Sequence, residues 1–530
     1  MFRSCLLVLA TLTLAASAQA ATFIVDTTSD AMLADCDDGV AADCSLRGAI
    51  ALASANPDAD TVAFDIPSSD PGYISATAHW RIEVSSGAFP FIQYPLTIDG
   101  YTQAGATANT QAPDEGGSNA VLKIEFSGAN AWSNGLHGSQ MTVRGLAINR
   151  FRGGNLNLAG PGPHRIEGCF IGTGITGMTA PGDNASNIGI RVSSGNVVVG
   201  GDTPGARNVI SGNSYIGISD SGGTSSPPNT YQGNILGLAA DGSSLIAGRQ
   251  DFGIYASDAP QGSLIGGTSI AERNLFGGHG FSAITITGNP LNPPVAPPPT
   301  RILGNFIGTD WSGELPRGNG LNPASPSQPY PSVLVGRLYR CGASIGGDAP
   351  GEGNLIAHGG QAGVAVGGCH GASILGNAFV KNRGIPIDLA GSSNFDGLTP
   401  NDADDADGTE GSDPQWLYRG NRYQNRAVID SMVHVAGGAT IELTYHVDTA
   451  IEHAAYPLRI DIMRGRGGQP EALVAIDLYE AGDAQQPRVV SFPAVALQGQ
   501  PLILGVTDAD GNSSEFESEI LFSDGFEVIP

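Results

Sequence analysis

The chain repeats itself, with a period longer than one supersecondary unit. GCFIGT at 168–173 returns as GNILG at 233–237, as GNFIGT at 304–309 and, more weakly, as GNAFV at 376–380. A second signature, VGG at 199–201 and IGG at 265–267 and 345–347, is followed each time by an asparagine and an apolar pair, at Asn208, Asn274 and Asn354. These three asparagines stand 66 and then 80 residues apart, and between them short apolar runs are broken by Gly, Asn, Asp and Ser. Such runs suit strands ended by tight bends, where Gly supplies positive φ and Asn can bond to the backbone.

The fold that fits is all-β: a right-handed parallel β-helix in which short strands stack coil upon coil around a narrow apolar core. Taking each long period as three turns of roughly 20 to 25 residues predicts about nine to eleven coils across 166–389. Asn213, Asn234, Asn305 and Asn377 are then internal residues bonding to neighbouring coils. A β-propeller would recur at about 40 to 50 residues with four strands per blade, which these unequal periods do not do. Composition agrees, with 76 glycines in 530 residues and only 14% charged residues, as tight turns and thin solvated faces require.

Met1 to Ala20 reads as a signal peptide: Arg3, an apolar run from Leu6 to Ala16, then Ala18 and Ala20 before a cut. Export to the cell surface, the medium or the periplasm makes disulfides available. Cys36 and Cys44 are expected to close a short loop. Cys341 and Cys369, in the related contexts CGASIGG and CHGASILG, are expected to pair across one coil step, since stacked strands lie within disulfide reach. Cys169 is left as a buried thiol, in the place that Asn234 and Asn305 hold in later copies.

Residues 21–120 read as an N-terminal cap and first coils. A strand at 22–26, a short helix from about Ser45 to Ala55 with Leu46, Ile50 and Leu52 as its apolar positions, and a strand at 61–66 would cover the open end of the solenoid. Residues 121–395 are the β-helix proper, with 102–120, 220–230 and 289–300 as side loops that leave the stacked strands in register. The stretch 396–427 is an acidic junction. Asp396, Asn401, Asp402, Asp404, Asp405 and Asp407 could supply oxygen ligands to a structural Ca2+, or form a solvated acidic loop. From 428 to 519, alternating segments such as IELTYHV and ALVAIDLY predict an immunoglobulin-like or fibronectin-like β-sandwich, and 520–530 is a tail.

The segment CSLRGAIALASANP at 44–57 resembles the CSLREA motif that opens many bacterial exported β-helix proteins, and the coil repeats are similar to that class's GN-x-IGT and IGG-x-RN pattern. The resemblance implies the same architecture, including a C-terminal sandwich module. Gly48 stands where the motif has glutamate, so no role of that acid carries over. The class does not fix an activity, because β-helices host unrelated functions.

With 51 acidic residues against 25 Lys and Arg, a net charge of −26 disfavours nucleic acid. It also repels uronate polymers unless calcium or a local basic groove intervenes. Two functional readings follow. The first is a non-enzymatic, adhesin-like surface protein that contacts a glycan or a cell surface, with Trp311 the foremost of the tryptophans as a sugar-stacking residue. The second is a secreted polysaccharide lyase or glycoside hydrolase. It would need converging carboxylates with an Arg or Lys on an adjacent coil, drawn from candidates such as Asp99, Asp183, Asp241, Asp251, Asp310 and Asp388, and Arg144, Arg150, Arg152, Lys381 and Arg383.

Overall fold

In a computed structural model, the described residues are 20–36, 40–85, 87–182, 186–222, 227–247, 250–257, 262–287, 299–321, 328–336, 340–390, 397–401, 420–516, 522–523 and 527–528. Residues 1–19 of the expected signal peptide and five of the six expected calcium ligands (Asp396, Asp402, Asp404, Asp405 and Asp407) lie outside them. Three long sheets of 11, 11 and 9 strands run along one solenoid. The first begins at Thr22–Val25 and ends at His370–Leu375. The second runs from Tyr73–Ile74 to Ala378–Val380, and the third from Asn134–Gly138 to Ile387–Ala390. Their neighbouring strands pair in parallel, save the first pair of the second sheet.

Inward positions stack in register. In the second sheet one column runs from Ile82 through Phe126, Ile148, Ile171, Ile210, Leu236, Phe276, Ile307 and Ile356 to Phe379. All ten are nearly or fully buried, each worth about 1.5–3 kcal/mol of transfer free energy. The sequence rhythm and the coil count differ, however. Across 166–389 there are seven coils, seen as seven third-sheet strands from Ile188–Val192 to Ile387–Ala390. The GN and RN signatures occupy the same rung position in alternate coils, so the span from Asn208 to Asn274 holds two coils and not three.

That shared position forms a ladder of buried asparagines. Asn208 Nδ2 donates to Asn234 Oδ1 at 2.9 Å, Asn234 to Asn274 at 3.1 Å, Asn274 to Asn305 at 2.9 Å, Asn305 to Asn354 at 3.0 Å and Asn354 to Asn377 at 2.8 Å. Each Nδ2 also reaches a backbone carbonyl of the preceding coil, for example Asn274 to Tyr231 O at 2.8 Å and Asn305 to Ile265 O at 2.9 Å. Cys169 stands one rung before the first, its N–H on Asn208 Oδ1 at 2.8 Å. It is buried and free, and burial pushes its thiol up to about 12. A second ladder runs through Asn155, Asn213, Gln250, His279 and Asn319. Burial pushes His279 down to about 4. Neutral, it donates from Nδ1 to Asn319 Oδ1 at 2.8 Å and accepts at Nε2 from Gln250.

Both ends are closed. At the N-terminus Leu46–Ala53 is helical, with the Ser45 hydroxyl accepting from Gly48 N. Leu46, Ala49, Ile50 and Ala53 are buried, Ala49 and Ala53 facing the core where Leu52 was expected. Gly48 is required by space, since a Cβ there would lie 1.6 Å from Leu33 O. The Cys36–Cys44 disulfide forms as expected. Cys369 is also disulfide-bonded. The strand that follows it pairs with Arg340–Gly346, while the Cys341 side chain lies outside the described residues.

At the C-terminus a sandwich of two antiparallel three-stranded sheets follows. One holds Ala427–Val435, Thr440–Val447 and Arg488–Pro493, the other Leu458–Arg466, Gln469–Tyr479 and Leu502–Thr507. Its side chains bond to the last coil. Asn512 Oδ1 accepts from Gly371 N at 2.7 Å, Ser513 Oγ from Ile374 N at 2.9 Å and Gln469 Oε1 from Asn382 N at 3.0 Å. Glu515 accepts from Leu389 N at 2.9 Å. Met463, Ile503 and Phe516 join the solenoid core. Among the described residues no helix is long and apolar enough to cross a membrane.

Candidate functional site

The three outer faces differ. Loops cover the second sheet: Leu122, Phe170, Val209, Ile235, Leu238 and Leu275 form a satellite apolar cluster beneath them. Trp311, the tryptophan singled out from sequence, packs half-buried against this cluster, its backbone N–H donating to Gly242 O at 3.1 Å. It anchors its loop there. The neighbouring acids hold turns. Asp241 accepts from Ser243 N at 2.9 Å and Ser244 N at 2.7 Å; Asp310 accepts from Ser243 Oγ at 2.9 Å and Ser312 Oγ at 2.6 Å. Hydroxyl and amide donors bring both carboxyls below the usual range against the opposing effect of burial, the larger single influence.

On the first sheet's outer face, Asp99, Arg144 and Glu167 are in register on consecutive coils. Arg144 lies 3.7 Å from Asp99, with its guanidinium over the Tyr101 ring. Arg165 pairs with Glu167 at 2.6 Å. Of the scattered acids and bases considered from sequence, Asp99 and Arg144 are thus brought together. Two other buried carboxylates are committed to structural bonds. Glu125, despite burial, is drawn down to about 2 by His79, Asn149 and Arg81, and Asp220 accepts from Tyr231 Oη at 2.7 Å and Ser263 Oγ at 2.9 Å. Asn401, the one described member of the expected calcium set, spends its amide on Arg426, donating to its carbonyl at 2.9 Å and accepting from its N–H at 3.0 Å.

The third sheet carries what sequence reasoning missed. At the corner where the chain enters this sheet, planar side chains recur coil after coil: Trp132, Arg152, Asn187, Tyr215, Phe252, Phe281 and Tyr330. Corner hydrogen bonds tie the series together, Arg152 N to Ala131 O at 3.0 Å, Tyr215 N to Asn187 O at 3.1 Å, Phe252 N to Tyr215 O at 2.9 Å and Phe281 N to Asp251 O at 2.8 Å. Ring centroids lie 5.6 Å apart for Tyr215 and Phe252, 5.2 Å for Phe252 and Phe281, and 4.4 Å for Phe281 and Tyr330. Tyr255, on the sheet face beside them, is 5.4 Å from Phe252. Trp132 is 78% exposed and Tyr215 45%, and the other rings are half-buried. Beside this stripe the outward column of the sheet reads His137, Asn157, Arg191, Ser219, Tyr255 and Thr285 in strict register. The result is a ridge of aromatic faces flanked by hydrogen-bonding groups, aligned with the solenoid axis. Only the corner register could reveal it, because these residues are unevenly spaced in sequence.

No family model matches the chain, and no curated protein matches it. Among solved structures, a pectate lyase Pel9A is similar over 75% of this chain and 84% of its own, at 9% identity and a TM-score of 0.31. An alginate lyase from Paenibacillus sp. str. FPU-7 is similar over 69% of this chain and 96% of its own, at 11% identity and a TM-score of 0.23. Likeness this distant assigns the chain no activity.

Proposed function

We propose that this chain is an exported, adhesin-like β-helix protein that contacts glycan through the outer face of its third sheet. The observation that carries the reading is the aromatic run from Tyr215 to Tyr330, which spans four consecutive coils, with Arg191, Ser219 and Tyr255 following one another in the outward column at its N-terminal part. Aromatic rings bury the apolar faces of sugars while polar neighbours bond to their hydroxyls. A rigid rod presents such a row at little entropic cost. Trp311 contributes only through the loop it anchors.

Affinity electrophoresis in gels containing soluble polysaccharides tests the proposal. The doubly substituted Tyr215→Ala, Tyr255→Ala protein should lose its retardation with an unchanged melting temperature. Trp311→Ala should lower the melting temperature and keep the retardation. Retardation that survives the double substitution would place the binding face elsewhere.

The row of Asp99, Arg144 and Glu167 favours a second reading, a carbohydrate-active enzyme, because it sets a guanidinium between two carboxylates on an exposed face. Release of new reducing ends or unsaturated products from a polysaccharide panel, abolished by Arg144→Ala, would put this reading first.

A further inference from the structure

Resting on the glycan reading, we infer that the N-terminal end of the stripe is a subsite for a carboxylate-bearing sugar, recognised by Arg152 and Arg191. The chain has 51 acidic residues against 25 Lys and Arg, and several of its guanidiniums are paired with carboxylates. Nearby Arg150 has Glu83 at 3.7 Å, and Arg165 has Glu167 at 2.6 Å. Arg152 and Arg191 have no carboxylate partner among the described residues. Instead the Arg152 guanidinium lies 4.9 Å from the centroid of the Trp132 ring, and Arg191 Nη2 reaches Gly153 O, next in the chain to Arg152, at 3.4 Å. Two positive charges are therefore gathered at one corner with no counter-charge paired to them among the described residues, an arrangement that a bound anion relieves.

The surroundings fit a sugar acid better than a free inorganic anion. Arg191 stands in register with Asn157, and Asn157 with His137, on successive coils. The Asn157 Oδ1 is buried without a partner, so it can accept from a ligand hydroxyl. Trp132 offers an exposed indole beside the arginines, and the aromatic run continues along the same corner. A guanidinium pair takes a carboxylate through paired N–H donors, which an ammonium or an amide does not reproduce. The global charge of −26 then acts as a filter. It repels densely charged polyanions at long range, whereas a glycan with spaced acidic residues engages the local basic corner.

The test uses the full mature chain and pairs of polymers that differ only in charge: polygalacturonate and glucuronoxylan, each beside its carboxyl-reduced counterpart. The wild-type protein should bind at least one acidic polymer about tenfold more tightly than its reduced partner. Arg152→Gln and Arg191→Gln should each erase that preference, bringing affinity for the acidic polymer down to that for its reduced partner, with the circular dichroism and the melting temperature unchanged. Should either glutamine variant misfold, Arg191→Lys, which keeps the charge and loses the paired donors, should retain only part of the preference. Equal affinity for both members of every pair, with the arginine variants like wild type, would overturn the subsite and leave the glycan reading standing. Stronger retention by a sulfated glycan than by either uronate polymer would overturn the carboxylate assignment. Loss of all retention in the aromatic double variant, together with an intact acidic preference in the arginine variants, would also overturn it. No retention by any polymer would overturn both readings.

Discussion

Replacing Asn274 tests the asparagine ladder where it is most constrained. Its side chain is fully buried and makes four hydrogen bonds: it donates to Tyr231 O at 2.8 Å and Asn305 Oδ1 at 2.9 Å, and accepts from Asn234 N at 2.9 Å and Asn234 Nδ2 at 3.1 Å. In Asn274→Ala all four vanish. Asn305 Oδ1 keeps the backbone N–H of residue 274, and Asn234 Nδ2 keeps Val199 O and Gln232 O, each at 2.9 Å. The Asn234 N–H is left in the interior with no acceptor. One orphaned buried donor costs about 1–3 kcal/mol, and the three remaining bonds about 1 kcal/mol each, so a loss of about 4–6 kcal/mol is expected. Asn274→Asp should be worse at neutral pH, since it sets a carboxylate against the Asn305 Oδ1 and the Tyr231 carbonyl, and should recover as acid protonates it. The exposed Asn119→Ala serves as control. Because a solenoid can open in parts, hydrogen exchange on peptides covering 230–236 and 270–276 should accompany thermal melts. A destabilisation of Asn274→Ala within about 1 kcal/mol of the control would refute the claim that the ladder holds adjacent coils together.

Three further outcomes are expected from the same geometry. Glu515 is raised to about 7, chiefly by burial; since the folded protein holds that proton more tightly than the unfolded chain, its stabilising contribution is complete below about pH 4.5 and is lost as pH rises through 7. Glu515→Gln should therefore gain on wild type by up to about 3 kcal/mol between pH 5 and pH 8, and a pH-independent difference in melting temperature would contradict this. Cys169, buried with its thiol pushed up to about 12, should resist a thiol reagent in the folded protein and react on unfolding; rapid labelling under native conditions would count against its place in the ladder. If the acidic stretch containing Asp396, Asp402, Asp404, Asp405 and Asp407 holds Ca2+, chelation should lower the melting temperature and calcium should restore it, because an ion that binds only the folded form stabilises it by linkage; an unchanged melt supports a solvated loop.

The architecture was legible because its determinants are local. Gly and Asn punctuate every coil, and inward apolar residues mark each strand. The phase was not, for a physical reason: a solenoid tolerates side loops of any length at a corner. The ladder asparagines at 208, 234, 274, 305, 354 and 377 are separated by 26, 40, 31, 49 and 23 residues, so two signatures that share one rung looked like two different rungs. The same uneven loops hid the stripe, whose members at 132, 152, 187, 215, 252, 281 and 330 align only after the coils do. Trp311 drew attention by its loop context, yet the loop folds the indole inward, and Trp132 is the exposed ring. The sandwich strands at 427–435 and 488–493 escaped notice because their alternation is weaker than that of the central strands.

The bonds between the sandwich and the last coil bear on how such a rod comes to have an end. A stack of parallel coils is a template for its own continuation, and its final rung offers open N–H and C=O groups to any strand that arrives. Here Asn512, Ser513, Gln469 and Glu515 occupy those groups with side chains, which satisfy the edge without extending it. All four lie C-terminal to the coils they close and are synthesised after them. Until that part emerges, a growing molecule carries an adhesive tip that can join to another copy. Truncation before residue 469 should therefore yield dimers joined tail to tail through the uncovered last coil, and not a shorter soluble monomer.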